Sequence, residues 1–332
     1  MNALVKPAVF AALVACSAFI ARAQSCQTSS DLDDATRASI TAAGQRYFDM
    51  ASKGDVASLR QSAIASLAGA FSSAEAAVKN RQQELAGAQT AARALFLLEA
   101  EGPAPISHAE FYCGVFGRNG QTAGSAVFNL ENLPQGKYAV VILDATSTKA
   151  RTSFSVILQQ AGADWKLGDL YIESAQVAGH ASDWFAARAR EYKTKGQMHN
   201  AWFYFLLARS LISPLPFMST LATDKLYDES QSLQPADVPS NGKTADLTVG
   251  NSTYKLAALF PKGVDNDLDL IVRYQSADVS NTNLAYQNNV SVIKALVAKY
   301  PELRDGFAGV VARAVDPTGR DYGTLLAMKD IK

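Results

Sequence analysis

The hydrophobic and polar positions change rhythm several times along this chain. From Asp31 to Met50 and just beyond, Ile40, Ala43, Gly44, Tyr47, Phe48 and Ala51 fall on one helical stripe, with Asp33 and Asp34 at its amino end. Gly54-Asp55 breaks that helix, and Asp55 suits the N-cap of a second, Val56 to Ile64, facing inward through Val56, Leu59 and Ala63. An alanine-rich run from Ser72 to Gly87 predicts a third. Strand-like segments follow at Leu95–Ala100, His108–Phe116, Ser125–Leu130, Tyr138–Thr146, Thr152–Gln159 and Trp165–Ser174. Between them stand the breakers Gly102-Pro103, Asn119-Gly120, Pro134-Gln-Gly136 and Ala161-Gly162. Helices first and an antiparallel meander after them is an α+β order. Along 108–113, His108, Glu110 and Tyr112 alternate with Ala109, Phe111 and Cys113, so the first three are expected to face solvent.

The next stretch is helical again. Trp184 to Tyr192 and Ala201 to Leu211 read as two helices about a turn at Gly196, with Ser182 or Asp183 as the first N-cap. The second is apolar or aromatic nearly all round, as in a helix covered on several sides. A helix over Ala222–Ser232 leads to a linker-like run, Gln234 to Gly242, rich in proline and polar residues. The last third predicts strands at Ala245–Val249, Tyr254–Phe260 and Asp267–Tyr274. A helix over Asn283–Tyr300 follows, with Leu284, Val290, Ile293, Leu296 and Val297 inward. A final hairpin joins Gly309–Val315 to Tyr322–Met328. Two hairpins and one long helix make a small α+β unit, one sheet covered by that helix.

The first part of this layout resembles the NTF2-like (cystatin-like cone) superfamily. The resemblance rests on Tyr47-Phe48, the Gly54-Asp55 turn, Leu59, and the closing strand Trp165-Lys-Leu-Gly-Asp-Leu-Tyr-Ile172. It implies a curved sheet wrapped around the first helix, with a pocket lined by Tyr47, Phe111, Tyr138, Asp144 and Trp165. Some members of that superfamily, such as the ketosteroid isomerases, use a pocket aspartate as base. Asp144, ending the apolar run Ala139–Leu143, is the candidate that this implies; the plainer reading is a turn residue at a strand's end. The helical pair resembles a tetratricopeptide unit through Trp184 or Phe185, Ala189, Tyr192, Gly196, Ala201, Phe205 and Ala208. Arg188 departs from the family's leucine, and Pro214 comes one residue late. A single copy is visible, whereas a peptide-binding groove needs about three, so the pair is expected to be a joint between domains.

The amino terminus adds a compartment. Lys6, the apolar run Ala8–Ile20 and Ala21-Arg22-Ala23 have the form of a cleaved export signal, placing the mature start at Gln24. The alternative is a lipobox at Leu13-Val-Ala-Cys16, with the chain anchored through Cys16; Phe19 and Ile20 continue the apolar run and speak against it. Domain boundaries follow: a signal peptide over 1–23, the α+β domain over 24–178, the hairpin over 179–233, a linker over 234–243 and the last α+β domain over 244–332. Export leaves Cys26 and Cys113 as a pair in an oxidising, periplasmic or secreted setting, where a bridge is expected; two unrelated thiols are the alternative.

Charge and motifs narrow the function. The full chain balances 31 basic against 31 acidic residues, and losing Lys6 and Arg22 leaves 29 − 31 = −2. That excludes an electrostatic footprint for nucleic acid, and no polybasic run or later transmembrane stretch appears. His108, His180 and His199 lack a second histidine at ligand spacing, so no metal site is expected. Asp265-Asn-Asp267-Leu-Asp269 has no turn glycine and no closing glutamate for calcium. Ser291-Val-Ile-Lys294 matches Ser-x-x-Lys, yet so does Ser240-Asn-Gly-Lys243 in the linker, and no Lys-Thr-Gly follows. There is no phosphate loop or dinucleotide fingerprint, hence no expected cofactor. The expectation is an exported bacterial binding or envelope-assembly protein, acting without catalysis on a protein partner or a small apolar ligand. The alternative is an NTF2-like isomerase or dehydratase with Asp144 as base.

Overall fold

A computed structural model of the chain describes residues 24–116, 120–240 and 242–332. The expected signal peptide and Cys16 lie outside the described residues. The fold is mixed α+β, and its sheets are antiparallel apart from one parallel strand pair.

A short strand, β1 (Gln24–Thr28), precedes α1 (Asp34–Ser52). Asp33 caps α1 by accepting from the Thr36 amide at 2.8 Å, and the predicted stripe Ile40, Ala43, Gly44, Tyr47, Phe48 and Ala51 is buried. Asp55 caps α2 (Val56–Gln61) by accepting from the Ser58 amide; α3 (Ala65–Gly69) and α4 (Ser72–Leu85) complete the helical layer. Six strands follow: β2 (Gln89–Ala100), β3 (Ile106–Cys113), β4 (Ala126–Leu133), β5 (Gly136–Thr146), β6 (Arg151–Ala161) and β7 (Asp164–Ser174). The main sheet runs β1-β2-β5-β6-β7, while β3 and β4 join the two-residue β8 (Met218–Ser219) in a small second sheet. The Cys26–Cys113 disulfide ties β1 to β3 and so links the two sheets.

The main sheet is buried on both faces. Along β5, Ala139, Val141, Leu143 and Ala145 pack under the helices, while Tyr138, Val140 and Ile142 pack against the small sheet. This explains why β5 reads as an unbroken apolar run.

Next comes a helical hairpin, α5 (Ser182–Thr194) and α6 (Met198–Ile212), then α7 (Leu221–Gln231). The last region holds β9 (Ala245–Val249), β10 (Ser252–Val264), β11 (Asp267–Gln275), α8 (Thr282–Lys299), α9 (Leu303–Gly306), β12 (Gly309–Val315) and β13 (Asp321–Ala327). The hairpin and this region share one apolar core. Tyr192 donates to the Asp305 carbonyl at 2.7 Å, Tyr204 to the Gly306 carbonyl at 2.6 Å, and Phe203 meets Phe307 edge-on. Among the described residues no helix is long and apolar enough to cross a membrane.

The last region has the expected single sheet with one long helix: the two hairpins form a five-stranded sheet, β13-β12-β11-β10-β9, in which β11 and β12 pair in parallel with α8 as their crossover. On α8, Ile293, Leu296 and Val297 face inward as expected, but Ala285, Asn289 and Val292 join them, while Leu284 is half exposed and Val290 only partly buried. The cause is polar. Asn289 accepts from the Tyr274 hydroxyl at 2.8 Å and donates to Tyr322 O and Thr324 Oγ1 at 3.0 Å, and these bonds fix the helix rotation.

Candidate functional site

The four aromatic side chains expected to line one cone divide between two cores. Tyr47 is fully buried under the helices, its hydroxyl 2.9 Å from the Trp165 carbonyl, and Trp165 lies in the same core. Phe111 and Tyr138 pack across the main sheet, where Tyr138 donates to the Pro134 carbonyl at 2.8 Å. Strand alternation explains the split: Tyr138 shares its face with Val140 and Ile142, away from α1, and Phe111 belongs to the small sheet. His108, Glu110 and Tyr112 face solvent as alternation predicted; His108 pairs with Glu131, and Tyr112 donates to Glu110.

Asp144 is neither in that interior nor in a turn. It sits within β5, opposite Ala91 of β2 and Ser153 of β6. Its side chain is about half exposed, with the Arg93 guanidinium 4.0 Å away. Arg93 occupies a bulge in β2, between Ala92 and Ala94, and donates to the Ile212 carbonyl at 3.2 Å, at the end of α6. Bulges re-aim side chains in this way. The apolar enclosure that turns an isomerase aspartate into a base is not what surrounds Asp144.

Asp144 instead lines a cleft of about 450 Å³ between the end of the main sheet and the helices α5, α6 and α7. Its walls are largely apolar, through Ala186, Leu211, Ile212, Ala222 and Leu226. Four cations reach it, Arg93, Arg151, Arg190 and Lys225, against the carboxylates Asp144 and Asp183. Arg190 is held by Glu229 through bonds of 2.7 and 3.0 Å, which keep the Glu229 carboxyl below its usual range; Lys225 adds to that field from farther off. Arg151 and Lys225 form no ion pair among the described residues. Ser153 lies on the same sheet face as Asp144, and its buried hydroxyl has no hydrogen-bond partner.

None of these cations stood out in the sequence. They are single residues dispersed from position 93 to position 225, and their meeting follows from strand register and helix docking.

A second hollow, of about 790 Å³, lies on the face of the last sheet turned away from α8, along Lys255, Ala257, Ala258, Arg273, Gln275 and Val315. Lys255 there is bound by Asp246. Below it Phe260, Ile271, Val311 and Leu325 stand in register across four strands, outside the three cores. The cleft beside Asp144 is the stronger candidate: several elements meet there, and apolar walls are combined with unpaired charge. Among the described residues, no group of His, Cys, Asp and Glu is placed to hold a metal ion. No family model, no curated protein and no solved structure matches this chain.

Proposed function

We propose that this chain is a non-catalytic binding or envelope-assembly protein whose cleft between the main sheet and the helical hairpin receives a small apolar ligand or an apolar group of a partner. The observation that carries this reading is the composition of the cleft. Its walls come from the sheet, the hairpin and α7, and they are apolar beneath a charged rim. In this account residues 24–178 are an NTF2-like unit whose interior is filled by side chains, and 179–233 are a single tetratricopeptide-like hairpin acting as a joint. The linker at 234–243 and the unit at 244–332 complete the layout. Helices followed by an antiparallel meander support the first assignment, and the core shared by hairpin and last sheet supports the second. Export, through the signal read in residues 1–23, agrees with the Cys26–Cys113 bridge.

Native mass spectrometry of protein purified from its own envelope tests this reading, beside an Ala222→Trp variant that fills the cleft from its exposed wall. A bound mass kept by the wild type and lost by the variant is expected. A mass kept equally by both places the ligand elsewhere and ends the assignment. The enzymatic alternative keeps one specific support, that Asp144 lines the cleft. An activity found by substrate screening and abolished by Asp144→Asn without loss of stability would establish it over the binding reading.

A further inference from the structure

We infer that the cleft selects a ligand with one anionic head group on an apolar body, Arg151 and Lys225 being the head-group contacts; this rests on the binding reading above. The charges of the cleft are unequally used. Arg93 faces Asp144 and donates to the Ile212 carbonyl, and Arg190 is fixed by Glu229. Arg151, at the start of β6, and Lys225, on α7, remain without a carboxylate partner among the described residues, and they approach the cleft from the sheet and from the helices. Leu211, Ile212 and Leu226 supply the apolar wall between them. A neutral apolar guest would leave both cations unanswered, and a cationic guest would meet four cations, Arg93, Arg151, Arg190 and Lys225, against two carboxylates, Asp144 and Asp183. A carboxylate or phosphate monoester at the head of an alkyl chain answers both, with charge-assisted bonds to the head and burial of the body. Asp144, held back by Arg93, does not compete for Arg151 within ion-pair distance.

The test is calorimetric titration of the mature chain with dodecanoate, dodecanol and dodecyltrimethylammonium, in low and high salt. Dodecanoate is expected to bind about tenfold tighter than dodecanol, the difference between a charged and a neutral hydrogen bond, and to lose that advantage in high salt. The Arg151→Gln/Lys225→Gln double variant should abolish the preference for dodecanoate over dodecanol. Both positions are exposed, so the variant is expected to fold, which its thermal transition checks. Equal affinity for dodecanoate and dodecanol overturns the head-group assignment while leaving the apolar cleft in place. A preference that survives the double variant overturns the assignment of Arg151 and Lys225, and failure of dodecanoate to bind at all overturns the proposal outright. Cosedimentation with phosphatidylglycerol vesicles then separates the sources. Capture that depends on Arg151 and Lys225 assigns the head group to a bilayer lipid; dodecanoate binding without capture assigns a free amphiphile.

Discussion

Asp269 carries a local cost in the last sheet. It is buried on β11, where loss of solvent, reinforced by the neighbouring Asp267 charge, pushes its carboxyl above the ordinary carboxylate range. A folded-state value above the unfolded one means that stability falls as pH rises from the unfolded value, about 4, through the folded one. Asp269→Asn keeps an acceptor oxygen and removes the charge. It should therefore raise the melting temperature at pH 7, with the gain shrinking as the pH is lowered toward 4; calorimetry across that range checks it. At Gly44 the constraint is steric. An added Cβ would lie 2.5 Å from Val141 Cγ1, so Gly44→Ala should destabilise by about 1–3 kcal/mol, and Val141→Ala in the same chain should recover part of the loss. The helical stripe containing Gly44 was legible in the sequence because α1 buries one regular face. Asp144 was legible only as a carboxylate after an apolar run; the Arg93 bulge that decides its surroundings depends on pairing with a strand some fifty residues away.

At the scale of elements, the linker is fastened to both neighbours by one histidine. His199, at the start of α6, has Nδ1 2.7 Å from Glu302, just before α9, and Nε2 3.1 Å from Asp237 in the linker, and its ring packs on Tyr300. Burial pushes the Asp237 carboxyl up, but the bonds from His199 and Tyr300 outweigh it and hold the group below its usual range. A depressed folded value contributes stability above the unfolded range, about 4, that is lost as pH falls through the folded value. Hydrogen exchange should show residues 234–238 loosening in acid before the surrounding core. His199→Ala should loosen them at pH 7 as well, since Asp237 then keeps only Lys299, at 4.0 Å, and Tyr300 as partners. In the sequence His199 looked isolated, because its partners lie 38 and 103 residues away. Most strands and helices were readable from period and breakers, and β9 and β12 begin and end where the pattern placed them. The strand β1 was not: Gln24–Thr28 has little apolar alternation and is held by pairing with β2 and by the bridge at Cys26.

Over the whole molecule, the long-range constraint that the sequence did reveal is the disulfide. It spans 87 residues, so removing it as Cys26→Ser/Cys113→Ser should cost on the order of 4 kcal/mol by chain-entropy reasoning, read as a lower midpoint in urea unfolding. The cores were less legible. Period alone says that a residue is buried but not beside what, so it could not correct the single pocket that the cone resemblance implied for Tyr47 and Tyr138, which lie on opposite faces of the sheet. The cleft was invisible for the same reason, being made only when the sheet end, the hairpin and α7 come together. Hydrogen–deuterium exchange of the mature chain with and without saturating dodecanoate tests its role most directly. Protection is expected to be confined to residues 144–151, 182–190 and 211–226. Protection instead along 258–260, 271–273 and 311–325, on the open face of the last sheet, or no protection at all, would contradict it.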